Sequence, residues 1–307
     1  MSHNKFSQIC IYVSFVFVIG IMVGVSEFLG EKEIIFPEIA AISIGGLLAP
    51  ELSWKVTYLR MIVFVTLCAV LGVAIVLLCS LPLFVEIVLA YIVGQLLFLY
   101  SGTSFAPMIS AIVLPVLMQT KSVIYILSAF ALTTVIVLIR ILLEKRGILP
   151  NNKGEMTKRP QKPDFIRLIG RTFVCLALAY ICISHDIRFC VAPPLLVAFT
   201  ELSTPGCKAS KCKAKVVALV TLCAFSGAFL RFFLSEKLAL PLTLTAIMVA
   251  ITIIVLVKAF KLYFPPAGAM AVLAMMIPAS ELLLYPLQVA GAITTLVLIA
   301  TFLSNEL

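Results

Sequence analysis

Apolar runs separated by short polar breaks fill the chain from Phe6 onward, and each run is too long and too continuous to be a strand. Reading the runs between breaks predicts twelve helices, at 6–29, 34–50, 61–79, 84–100, 105–118, 122–143, 166–184, 190–204, 216–235, 239–257, 264–278 and 282–304. A helix that crosses a bilayer needs about 20 apolar residues for a hydrocarbon core of about 30 Å. Segments 34–50, 105–118, 190–204 and 264–278 hold only 14 to 17 residues, which is marginal at about 1.5 Å of rise per residue. Each of these four is expected to be short, tilted, broken or re-entrant. A membrane β-barrel is excluded, because its strands alternate apolar and polar positions over about 10 residues.

Composition carries the same message. Hydrophobic residues make up 63% of the 307-residue chain and charged residues 12%, with a mean hydropathy of +1.19. A soluble domain has about 45–50% apolar and about 25% charged residues, so the chain reads as an all-α polytopic membrane protein whose first partner is the lipid bilayer. No stretch is left for a catalytic domain outside the membrane. The first run, Phe6 to Leu29, is longer than the apolar stretch of a signal peptide. It reaches Ser26-Glu27-Phe28 without a small-x-small cleavage site, and so reads as the first span.

The formal net charge of +9 reads as topology rather than as a nucleic-acid surface. With twelve crossings and both termini inside, sixteen of the 23 basic residues fall in inside loops and four in outside loops, the bias that orients membrane proteins. If the four short segments were re-entrant, eight crossings would remain, and Lys208, Lys211, Lys213 and Lys215 would lie outside. The expected organisation is a first membrane repeat, 1–143, a basic cytoplasmic linker, 144–165, and a second membrane repeat, 166–307. The expected location is a cell inner membrane.

The two halves match in sequence. Val65-Thr66-Leu67-Cys68-Ala69 recurs as Val220-Thr221-Leu222-Cys223-Ala224, and Leu81-Pro82-Leu83 recurs as Leu240-Pro241-Leu242. Pro50, Gly72, Phe105 and Pro107 match Pro205, Gly227, Phe264 and Pro266 in the same order. Six segments per half makes the repeat parallel, with its axis along the membrane normal.

Candidate chemistry gathers at two helix starts in equivalent places. Pro265 and Pro266 open the eleventh segment, with Gly268 one turn on; proline costs no N–H in a first turn, and glycine lets backbones approach closely. The partner stretch holds Ser101, Gly102, Thr103, Ser104 and Pro107, where hydroxyls can cap the helix or meet a solute. A helix start presents N–H groups that favour an anion, although tight packing explains the same residues. Glu201 and Glu86 stand among apolar neighbours, where an ionised carboxylate needs a partner or water. Glu38, Glu51 and Glu281 lie near segment ends and are expected to be solvated. Arg231 is expected to snorkel to the interface. The nine cysteines read as small buried hydrophobes rather than a disulfide framework. Cys207 and Cys212 lack the further ligands zinc needs, and no motif for a nucleotide or other cofactor is present. No cofactor, metal or catalytic group is expected.

Phe264-Pro265-Pro266-Ala267-Gly268-Ala269 resembles the signature of the HPP family of integral membrane proteins, with Phe264 where the family has histidine, and Pro193 to Gly227 resembles that family's earlier conserved region. The six-segment pattern is also similar to fusaric-acid-resistance and aromatic-acid exporter proteins. These resemblances imply a transporter or channel for a small, nitrite-like anion or an organic acid, and no enzyme. A non-transporting scaffold or subunit is the alternative, and a membrane-embedded lipid enzyme a weaker one. Assembly into a homo-oligomer is compatible with either.

Overall fold

The structure, a computed structural model, describes residues 5–152, 154 and 160–305; His3, and Lys153, Lys158 and Arg159 of the basic linker, lie outside the described residues. Helices α1 (Lys5–Leu29), α2 (Glu38–Ser43), α3 (Tyr58–Leu78), α4 (Leu83–Tyr100), α5 (Pro107–Met118) and α6 (Val123–Lys145) make the first half. Helices α7 (Lys162–Ser184), α8 (Pro193–Leu202), α9 (Lys213–Leu230), α10 (Leu242–Phe260), α11 (Pro265–Leu273) and α12 (Tyr285–Asn305) make the second. Among the described residues, eight helices are long and apolar enough to cross a membrane: α1, α3, α4, α6, α7, α9, α10 and α12. The protein is an all-α, multi-pass membrane protein.

Burial divides the helices into two kinds. The long ones bury one face and present large apolar side chains on the other, such as Phe17, Leu59, Phe173 and Leu287, because lipid is as good a neighbour for them as protein. The short ones, α2, α5, α8 and α11, are buried on nearly every side. At about 1.5 Å per residue, the 12 residues of α5 span only about 18 Å, so each short helix depends on non-helical leads to extend its reach. The four form the centre of the molecule, inside a wall of long helices.

Local sequence explains where the helices begin. Thr57 caps α3 by accepting from the Arg60 amide, Ser122 caps α6 by accepting from Ile124, and Gln161 and Asp164 form a reciprocal capping box on α7. The short helices begin with proline instead: Pro107 on α5, Pro193 and Pro194 on α8, and Pro265 and Pro266 on α11, while Pro37 precedes Glu38 on α2. Proline gives up no hydrogen bond at these positions and presets the backbone for a helix. Pro115 inside α5 has no N–H for the Ala111 carbonyl one turn back. The Tyr125 hydroxyl supplies it from α6, at 2.9 Å. The Tyr285 hydroxyl likewise donates to Met270 O near the end of α11, at 2.6 Å.

Packing within the first half joins α3 to α5 and α6, and within the second half joins α9 to α11 and α12. Between the halves, α1 lies against α10, α4 against α7, α2 against α11 and α5 against α8. Two glycines set the closest approaches. A Cβ on Gly72 of α3 would stand 2.4 Å from Ile112 O of α5, and one on Gly227 of α9 would stand 2.2 Å from Ala271 O of α11. Both obstacles are backbone and cannot turn aside. Gly72→Ala and Gly227→Ala therefore each lower stability in detergent unfolding experiments by about 1–3 kcal/mol, the usual cost of overpacking. Gly291→Ala on α12, where nothing lies within 4 Å, changes it by less than about 0.5 kcal/mol.

Candidate functional site

The turn before α5 is a compact polar knot. The Ser101 hydroxyl donates to Phe98 O at 2.7 Å and accepts from the Thr103 amide at 3.1 Å, while the two hydroxyls lie 2.8 Å apart. Thr103 Oγ1 in turn accepts from the Phe105 amide. Gly102 sits at φ +66°, the left-handed conformation this reversal needs. Ser104 Oγ accepts from the Lys55 amide at 2.8 Å, and the Ser104 amide donates back to Lys55 O at 3.1 Å. Arg60 completes the knot by donating to Ser101 O at 2.8 Å. In this conformation most of the turn's donors are thus committed to the protein itself, and Pro107 begins the helix behind it.

Glu201 joins this group through a residue the sequence analysis did not single out. Trp54, the chain's single tryptophan, donates its indole N–H to Glu201 Oε1 at 3.1 Å and packs edge-on against Phe105 with ring centroids 5.0 Å apart. It fits against the π-helical turn Ile44–Leu48 after α2 because Gly45 has no side chain; a Cβ there would come within 2.3 Å of the indole. The one signal available in advance was a lone tryptophan on the basic stretch between two segments. The segment 54–60 therefore gathers Ser101, Thr103, Ser104 and Glu201 into one neighbourhood.

The other predicted start sits elsewhere. Pro265, Pro266 and Gly268 are buried on α11 against α2, and a Cβ on Gly268 would meet Ile44 Cδ1 at 2.4 Å. Gly268 thus serves close packing on Ile44 and the Ala40 backbone rather than side-chain chemistry. Ala267 N is already taken by Phe264 O at 3.1 Å.

Buried charges correct two expectations. Glu38, expected to be solvated, is 1% exposed; Ser110 of α5 donates to its Oε1, and its Oε2 has no partner. It opens α2 directly after Pro37 and is packed inside the protein, which apolarity alone could not reveal. Arg231, expected to snorkel, is 7% exposed and donates from Nη1 to Ala274 O and Ile277 O at 2.6 and 2.5 Å. These are carbonyls left open where α11 stops, and they hold the side chain inside. Arg140 does the same for α2: it donates to Gly46 O, as well as to Glu144 at 2.8 Å and Pro150 O at 2.8 Å. Glu86 is buried and accepts from Gln119 at 2.9 Å, Glu281 pairs with Arg188 at 2.6 Å, and Glu51 is exposed.

All nine cysteines are free thiols. Burial first, and the nearby Glu201 carboxylate second, push the Cys207 thiol up from its ordinary value. Among the described residues no three His, Cys, Asp or Glu side chains gather where they could hold a metal ion. The chain matches no protein-family model, no curated protein and no solved structure.

The arginine contacts yield a stability prediction. Arg140→Met or Arg231→Met strands buried carbonyls, so each variant loses about 2–4 kcal/mol in reversible unfolding in mixed micelles. Lys121→Met, at an exposed position, stays within about 0.5 kcal/mol of the parent protein.

Proposed function

We propose that the protein is a transporter or channel for a small, nitrite-like anion or an organic acid, built as two parallel six-segment repeats that cross a bacterial inner membrane twelve times. The observation that carries this reading is the central set of four short, proline-led helices packed pairwise between the halves, α2 on α11 and α5 on α8. Non-helical backbone at membrane depth is tolerated only where protein buries it or it lines a cavity. Broken helices at a repeat interface are also where transporters hold their solutes.

Several contacts support the duplication. Tyr125 on Ala111 O has its counterpart in Tyr285 on Met270 O, and Gly72 over Ile112 O in Gly227 over Ala271 O. The pairing of α1 with α10 mirrors that of α7 with α4. Other contacts favour crossing over re-entry. The α5 segment starts beside Arg60 and the C-terminal end of α4, and finishes where Gln119 meets Glu86 near the N-terminal end of α4. The α2 segment starts with Phe36 against Tyr125 at the beginning of α6, and finishes where Arg140, near the end of α6, meets Gly46 O. The resemblance of Phe264–Ala269 to the HPP signature favours a nitrite-like solute.

In this reading the α5 turn, Ser101, Gly102, Thr103, Ser104 and Pro107, contributes donors to the solute when its own hydrogen bonds open. Glu201 sets the charge beside it, and Pro265, Pro266 and Gly268 provide the close seam along which the halves move.

The test is flux through proteoliposomes, with nitrite and a panel of organic acids, with and without a pH gradient. Saturable, protein-dependent flux of one anion is expected, and Glu201→Gln and Gly268→Leu each lower it roughly tenfold. Absence of flux for every anion overturns the reading. Topology has its own check: Lys211→Cys in a cysteine-depleted background stays unreactive to impermeant reagents outside intact cells, and labelling from outside sinks the twelve-crossing arrangement.

A further inference from the structure

Arg171, on α7, is 6% exposed, yet among the described residues no carboxylate forms an ion pair with it. Its described partners are two hydroxyls at the end of α8: Nε donates to Ser203 Oγ at 2.7 Å and Nη2 to Thr204 Oγ1 at 2.9 Å. Both hydroxyls spend their own hydrogens on α8 carbonyls, Ser203 on Phe199 O at 2.6 Å and Thr204 on Thr200 O at 2.7 Å. They are therefore aligned as acceptors and hold the guanidinium in place without neutralising it. A buried cation that no carboxylate touches is costly.

The side chain lines a crevice of about 60 Å3 between α4, α7 and the end of α8. Arg167, one turn earlier on α7, lines it too and pairs with Asp164 at 3.1 Å. From α4 comes Gln95, 2% exposed, whose Nε2 donates to Thr172 Oγ1 at 3.3 Å and whose Oε1 has no partner. Turned over, that amide accepts from Thr172 and donates into the crevice, an exchange its near-symmetric shape allows. The wall thus holds the guanidinium of Arg171, the amide of Gln95, and the Arg167–Asp164 pair.

We propose that this crevice is a binding site for a small oxyanion, with Arg171 as its principal ligand. A water needs about 10–15 Å3, so the space suits an anion of nitrite to phosphate size and is too small for an aromatic acid. The site lies at the end of the molecule that carries Arg60, Lys208, Lys211 and Lys213, where surrounding positive charge raises the local concentration of anions. Its place in transport rests on the function proposed above; its binding chemistry does not. A free oxyanion and the phosphate of an anionic lipid share that chemistry.

Thermal unfolding and calorimetric titration of the delipidated protein, at constant ionic strength, with sodium nitrite, potassium phosphate and sodium benzoate, separate the outcomes. Native mass spectrometry after exposure to phosphatidylglycerol reads the lipid source. Saturable stabilisation by nitrite or phosphate but not benzoate, weakened at least roughly tenfold in Arg171→Met and also weakened in Gln95→Leu, supports a free-anion site. No response to free anions, but retained phosphatidylglycerol that is lost in both variants, supports the same site filled by a lipid phosphate. Neither response in the parent protein, or a response both variants keep, overturns the proposal. Binding without flux leaves the site standing and removes the transport reading; flux without binding does the reverse.

Discussion

A helix that stops inside a membrane leaves carbonyls with no water to turn to, and the interior of this protein is organised around satisfying them. Each unmet backbone group in such a setting costs several kcal/mol. Buried arginines meet the need at two of the four short helices: Arg140 takes Gly46 O where α2 ends, and Arg231 takes Ala274 O and Ile277 O beyond α11. At α8, Arg171 instead engages the Ser203 and Thr204 side chains that finish the helix. At α5, which has no such arginine, Tyr125 replaces the donor missing at Pro115, and Gln119 turns left-handed to close the chain. Both carbonyl-holding cations are also paired, Arg140 with Glu144 at 2.8 Å and Arg231 with Glu236 at 3.4 Å, so their charge is met as well as the carbonyls.

The same constraint links fold to proposed function. Short helices can sit at the centre only if long ones shield them from lipid, and the eight long helices do so by keeping one face apolar toward the outside and the other against the core. Gly72 and Gly227 let α3 and α9 press directly on the backbones of α5 and α11, which leaves little space along those seams. The polar contacts gather toward the basic end, where Trp54, Glu201 and the polar turn before α5 meet and where the Arg171 crevice opens.

Much of this was legible in the residues. Unbroken apolar runs announced every long helix, because a lipid-facing helix has no need of a polar stripe, and the prolines announced the short ones, because proline suits a first turn. The polar turn Ser101–Ser104 and Glu201 stand out in the residues, but their joining through Trp54 does not, since contact between positions 54 and 201 depends on how the loop that holds Trp54 folds over the end of α8. Glu38 and Arg231 were misplaced for a related reason. Distance from the end of an apolar run measures depth only for a regular helix; Glu38 opens α2 directly after Pro37, and Arg231 stands where α9 passes into a π-helical turn.

What the sequence alone determined is therefore the class: an all-helical protein of the membrane, with four weak segments whose breaks are written in proline and glycine. Hydrophobic length and local backbone preference are properties of neighbouring residues and need no partner to be read. The tertiary structure decided which charges are buried and what they hold. An arginine in an apolar run is equally consistent with snorkelling to water and with capping a distant helix, and only the carbonyl that lies in front of it settles which.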